Sequence, residues 1–150
     1  MVTLTGTQNL LIDALTDLVK LEYDAVEAYK AAIERLRNQT FISKLEEFKS
    51  DHLRHIQELS NFLIQEDVIP PKDPDAKQWL TKGKTVLGGL IGDRSILHAM
   101  KSNEEDTNTA YDRMTNRDDL DKKIQDILTR AYADEKKHRK WIEDTLEETK

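Results

Sequence analysis

Six side chains able to donate electron pairs recur at helical spacing in this chain, and together they have the chemistry of a metal site. Glu22 falls between Leu18 and Ala25 on one apolar stripe, and Glu104 falls between Met100 and Thr107 on another. A third stripe reads Leu45, Phe48, His52, His55, Leu59, Phe62, and a fourth reads Ile124, Ile127, Ala131, Glu135, His138, Ile142. Steps of three and four residues keep such positions on one helix face, so three carboxylates and three imidazoles point where a core should be. Burying a carboxylate without a counter-charge costs on the order of several kcal/mol, and no Lys or Arg shares the seam at this height. A bound cation removes that cost. Residues three apart project from one face about a turn apart, so Glu135 and His138 can hold one ion while a neighbouring helix completes its shell. Oxygen and imidazole donors together suit iron or manganese, with zinc as a further option. The competing reading is a metal-free polar layer in which the same groups pair with one another and fix the helix register.

An internal repeat ties the four stripes together. Glu22-x-x-Ala25-x-x-x-Tyr29 matches Glu104-x-x-Thr107-x-x-x-Tyr111, and Asp51-His52-x-x-His55 matches Asp134-Glu135-x-x-His138, at offsets of 82 and 83 residues. Asp51, four residues before His55, either supplies an oxygen ligand or orients a histidine from behind. Tyr29 and Tyr111 read as core residues within reach of the carboxylates. Glu27, Glu105 and Asp134 read as pointing away from the seam, and His98 as a surface residue.

Four helices are needed to carry these positions. Helix A runs from an N-cap at Thr7 to about Asn38-Gln39-Thr40, and helix B follows from a capping box at Ser43 and Glu46 until Pro70, Pro71 and Pro74 stop it. Residues 67–93 hold all three prolines together with Gly83, Gly88, Gly89 and Gly92, around a short amphipathic piece, AKQWLTKGKTVLGGL. This stretch reads as a crossover that returns the chain along the bundle. Helix C runs from Asp93 to about Thr115-Asn116, and helix D starts near Asp118. Composition agrees: the 150 residues contain only five Gly and three Pro, too few for the many turns of a sandwich or barrel. A net charge of −6, with both signs scattered along the chain, argues against nucleic acid as a partner. The absence of cysteine excludes disulfides, thiolate zinc sites and iron–sulfur clusters. No run of about 18 apolar residues and no basic leader occurs, so a soluble, cytoplasmic protein away from membranes is expected, with residues 1–150 forming one domain.

These residues resemble the ferritin-like superfamily of di-iron carboxylate bundles, in which two helices give one Glu each and the other two give Glu-x-x-His. The resemblance spans essentially the whole chain. Glu22, Glu104 and the pair Glu135/His138 follow the pattern, as does the single long crossover. Helix B departs from it, with His52 three residues before His55 where the pattern has Glu. An imidazole does not bridge two ions in the way a carboxylate does, so one-ion and asymmetric two-ion sites both stay open. The resemblance implies an all-α, antiparallel four-helix bundle whose long crossover contains a short helix. It also implies a centre for two iron ions, with manganese or zinc as alternatives, through Glu22, His55, Glu104, Glu135 and His138, with His52 and Asp51 as the candidates on helix B to complete the site. Oxidase- or peroxidase-type chemistry with oxygen or peroxide follows from it, and a homo-oligomer is compatible with it. The chain length and the tryptophan-bearing crossover Gln78-Trp79-Leu80 resemble small stand-alone bacterial members rather than storage cages. A hydrolytic zinc site with three ligands and an open position is a weaker alternative.

Overall fold

Each apolar stripe becomes one long helix in the computed structural model, which describes residues 3–73, 87 and 89–150. The helices are α1 (Leu11–Arg35), α2 (Gln39–Gln65), α3 (Asp93–Thr115) and α4 (Lys122–Glu148), and no strand occurs among the described residues. Short turns join α1 to α2 and α3 to α4, so each pair packs as an antiparallel hairpin. The hairpins meet along α1 and α3, and more sparsely along α2 and α4. The short helix expected within the crossover, with Gln78-Trp79-Leu80, lies outside the described residues.

The helix ends differ from the sequence expectation because side-chain caps sit closer to the turns than the stripes indicate. Thr7 does not cap α1; its hydroxyl donates to the Leu4 carbonyl at 2.6 Å, inside a turn that precedes the helix. Asn38 does not end the first helix but caps the second, its side-chain oxygen accepting the Phe41 N–H at 3.1 Å. Ser43 and Glu46 therefore lie within α2 rather than at its start. Asp121, not Asp118, opens α4 by accepting the Ile124 N–H at 3.0 Å. On α4 it is Leu128, not Ile127, that is buried.

Asp93 fixes how the hairpins dock. Its carboxylate accepts the backbone N–H groups of Arg37 at 2.9 Å and Asn38 at 2.8 Å, tying the α1–α2 turn to the first turn of α3. Asp93→Ala is expected to lower the unfolding free energy by about 1–2 kcal/mol, because two charge-assisted bonds are replaced by bonds to water; urea denaturation checks this.

The core divides into two apolar clusters. One contains Leu15, Leu18, Leu59, Phe62, Met114 and Leu128, and the other Ala32, Leu45, Phe48, Leu97, Met100 and Ile142. Between them lies a layer of buried Glu and His. Among the described residues no helix is long and apolar enough to cross a membrane.

Candidate metal centre

All four helices contribute to that layer. Glu22 comes from α1, His52 and His55 from α2, Glu104 from α3, and Glu135 and His138 from α4; five of the six are 0% exposed and His55 is 1% exposed. Their donor atoms fall into two groups, each within 4.8 Å: Glu22, His52, His55 and Glu135, then His52, Glu104, Glu135 and His138. His52 and Glu135 belong to both.

Two carboxylates lie behind this ring and set its tautomers. His55 Nε2 meets Asp134 Oδ2 at 2.9 Å, and His138 Nε2 meets Asp51 Oδ2 at 2.8 Å. An ionised carboxylate only accepts, so each Nε2 carries a proton, and a ring that gives up its other proton turns the Nδ1 lone pair inward. Each helix thus orients the other's histidine. Asp51 is in neither donor group; its place is behind His138, where it fixes the ring. Asp134, expected to point away from the seam, does the same for His55, and its alignment with Asp51 in the internal repeat is the signal that identifies it. Arg54 binds the outer side of both carboxylates, with a 3.2 Å contact to Asp51 and a second contact to Asp134. Asn108 is a further residue that sequence reasoning passes over. Its amide donates to the backbone carbonyls of Glu104 at 2.7 Å and Glu135 at 3.1 Å, locking α3 to α4 at the layer.

The layer's charges are tightly balanced. Burial alone raises the pKa of Glu22, but the positive charges of His52 and His55 outweigh it and hold the carboxyl at about 2. Burial acts the same way on Glu104, where His138 and His52 prevail and keep the group well below the usual carboxylate range. Glu135 goes the other way: burial, with Glu104 and Glu22 adding to it against His52, pushes it up to about 7. For the imidazoles, burial opposes the charged form and loses. The carboxylates of Glu135 and Glu22 raise His52 well above its ordinary value. Those of Glu22 and Glu135 bring His55 to about 10, and Asp51, Glu104 and Glu135 bring His138 to about 11. Tyr29 donates its hydroxyl to Glu104. Burial and the charges of Glu104 and its neighbours keep the phenol protonated. Tyr111 packs against His55, with ring centroids 6.0 Å apart, and its hydroxyl closes no well-formed hydrogen bond among the described residues.

The donor set fits a metal ion on two counts. Glu22 Oε1, both Glu135 oxygens and His138 Nδ1 are buried without a hydrogen-bond partner among the described residues, a concentration that protein interiors avoid. Their neighbours are near but misaligned. Glu135 Oε1 is 3.3 Å from Nδ1 of both His52 and His55, while His138 Nδ1 is 3.5 Å from Glu104 Oε1 and from Glu135 Oε2. Ligands bonded at about 2.0–2.2 Å to one ion stand roughly 3.0–3.5 Å from each other, a range that includes these neighbouring pairs within groups no wider than 4.8 Å. No Lys or Arg side chain is among the described buried residues. Mixed imidazole and carboxylate donors suit iron, manganese or zinc rather than calcium or magnesium. His98, expected at the surface, is exposed on α3 and outside the layer.

Residues 11–117 match the family model described as a domain of unknown function (DUF2383). No curated protein matches the chain. Among solved structures, the chain is similar to the bacterioferritin-related protein from Bacteroides fragilis, described as a dodecameric thioferritin in the bacterial domain. The TM-score is 0.79 at 21% identity, covering 93% of this chain and 85% of that one.

Proposed function

This chain belongs to the DUF2383 family and has a ferritin-like four-helix-bundle fold, and on that footing we propose that its buried Glu/His layer is a centre for two iron ions. The observation that carries this reading is the set of unpartnered, inward-facing donor atoms in two overlapping groups. Glu22 and His55 serve one ion, Glu104 and His138 the other, and Glu135 reaches both. Bound iron supplies electron transfer to oxygen or peroxide, the oxidase or peroxidase chemistry we assign. The protein's own part is to exclude bulk water with the two apolar clusters and to hold the imidazole lone pairs inward. The Tyr29 hydroxyl holds one Glu104 oxygen in place. A surface recess of about 310 Å³, bounded by Arg54, His55, Glu58, Arg130 and Asp134, offers an approach to the His55 side. We place the protein in the cytoplasm and infer that it self-associates, as its dodecameric structural neighbour does.

Metal analysis of protein purified without chelator tests the reading. About two ions per chain are expected, with losses in Glu104→Ala and His138→Ala; sub-stoichiometric metal in every form contradicts it. Asp51→Asn and Asp134→Asn are expected to weaken metal binding by about 10–100-fold each, the usual effect of removing a carboxylate behind a ligating histidine. Titration against a competing chelator reads this out.

A second reading is favoured by the raised imidazole pKa values, because three imidazolium ions neutralise the carboxylates without any metal. In that case the layer only sets helix register, and a chelator leaves the melting temperature unchanged.

A further inference from the structure

His52 differs from the other two histidines of the layer in a way that bears on how two ions are held. His55 and His138 each turn one nitrogen outward to an aspartate, leaving a single nitrogen for the centre. Among the described residues, both nitrogens of His52 instead meet carboxylates of the layer. Its Nδ1 lies 3.0 Å from Glu22 Oε2 and 3.3 Å from Glu135 Oε1, on the side of the first donor group. Its Nε2 lies 3.3 Å from Glu104 Oε1, on the side of the second. The ring is wedged between the groups, its centroid 5.0 Å from the Tyr29 ring and 5.1 Å from the His138 ring.

We propose that His52 stands between the two ions and bonds to one through each nitrogen, so that the pair is spaced by an imidazole ring rather than drawn together by two carboxylates. This rests on the two-ion reading above. Two ions drawn together in a shared site stand about 3.5–4 Å apart, whereas metal–nitrogen bonds of about 2.0–2.1 Å on opposite sides of an imidazole set the ions about 6 Å apart. Neutral imidazole has one lone pair, so the first ion takes the free nitrogen. The second displaces the remaining N–H proton to solvent, and the ring bridges as imidazolate. Glu135 lies beside the ring from α4, one oxygen facing each group, and leaves the spacing to His52.

Cobalt(II) is the probe, since a nitrogen and oxygen site that holds ferrous iron holds Co²⁺ more tightly. Wild-type protein, His52→Glu and His52→Gln are loaded with Co²⁺, and ions per chain and the cobalt–cobalt distance from X-ray absorption are measured. The expected result is two ions in wild type with no cobalt–cobalt shell at about 3.5–4 Å, that shell appearing in His52→Glu, and one ion in His52→Gln, whose amide has no second strong donor. A short cobalt–cobalt shell in wild type, a single ion in wild type, or two ions in His52→Gln overturns the bridging role while leaving a metal centre standing. Absence of cobalt from all three proteins overturns the metal centre itself.

Discussion

Glu135→Gln is expected to abolish tight metal binding, lowering affinity by more than about 100-fold, beyond what loss of a residue behind a ligand costs. Glu135 is the carboxylate shared by both donor groups, with Oε1 facing His52 and His55 and Oε2 facing His138. An amide offers one neutral oxygen in place of two charged ones, so both positions weaken together. The same change leaves the fold intact. Burial pushes the Glu135 pKa from its ordinary value up to about 7, so keeping this group ionised costs the folded state stability above that pH. Glutamine mimics the protonated form, and the metal-free variant is expected to be at least as stable as wild type at pH 8. Calorimetric titration and thermal melting in chelator check the two halves. Lost binding with kept stability separates a ligand from a structural residue.

The second large effect is a change of sign in the pH dependence of stability when metal is added. In metal-free protein the raised imidazole pKa values stabilise the fold fully below the unfolded value of 6.5. That contribution is lost as pH rises through about 10 for His55 and about 11 for His138. Glu135 adds to the decline between 4.5 and about 7. Glu22, held at about 2, contributes above 4.5 and loses its contribution as pH falls toward 2. Chelated protein is therefore expected to be most stable near about pH 5–6 and to melt progressively lower from there to pH 9. An ion must displace the imidazole protons to bind, so affinity rises with pH over the same window. With excess Mn²⁺ the melting temperature is expected to rise between pH 6 and 8, as tighter binding adds stability by mass action. Parallel curves with and without the ion contradict the site.

The centre is legible in the sequence because it breaks a rule. Glu22, His52, His55, Glu104, Glu135 and His138 occupy seam positions otherwise held by Leu, Phe, Ile and Ala, and helical spacing alone brings them to one height. What spacing does not encode is the direction in which a side chain reaches. Asp51 and Asp134 sit beside the seam and extend across to the opposite helix, so spacing leaves Asp51 open between ligating a metal and orienting a histidine, and leaves Asp134 out. The packing of α2 against α4 sets Asp51 against His138 and Asp134 against His55. The caps escape for a similar reason. Asn38 and Thr7 both carry side chains able to cap a helix, and it is the tight turn after Arg35, with Asp93 binding its N–H groups, that sets Asn38 at the start of α2. Asn108 is invisible to patterning, since a polar residue one step off the stripe reads as solvent-facing until its two carbonyl partners are in place.

The most direct test is an anomalous difference map at the iron edge, from crystals grown with Fe²⁺ in the absence of oxygen. Two peaks are expected inside the bundle, one within bonding distance of Glu22 and His55, the other of Glu104 and His138. A map with no iron in that layer, or with iron only at carboxylates on the outer surface, contradicts the proposed centre.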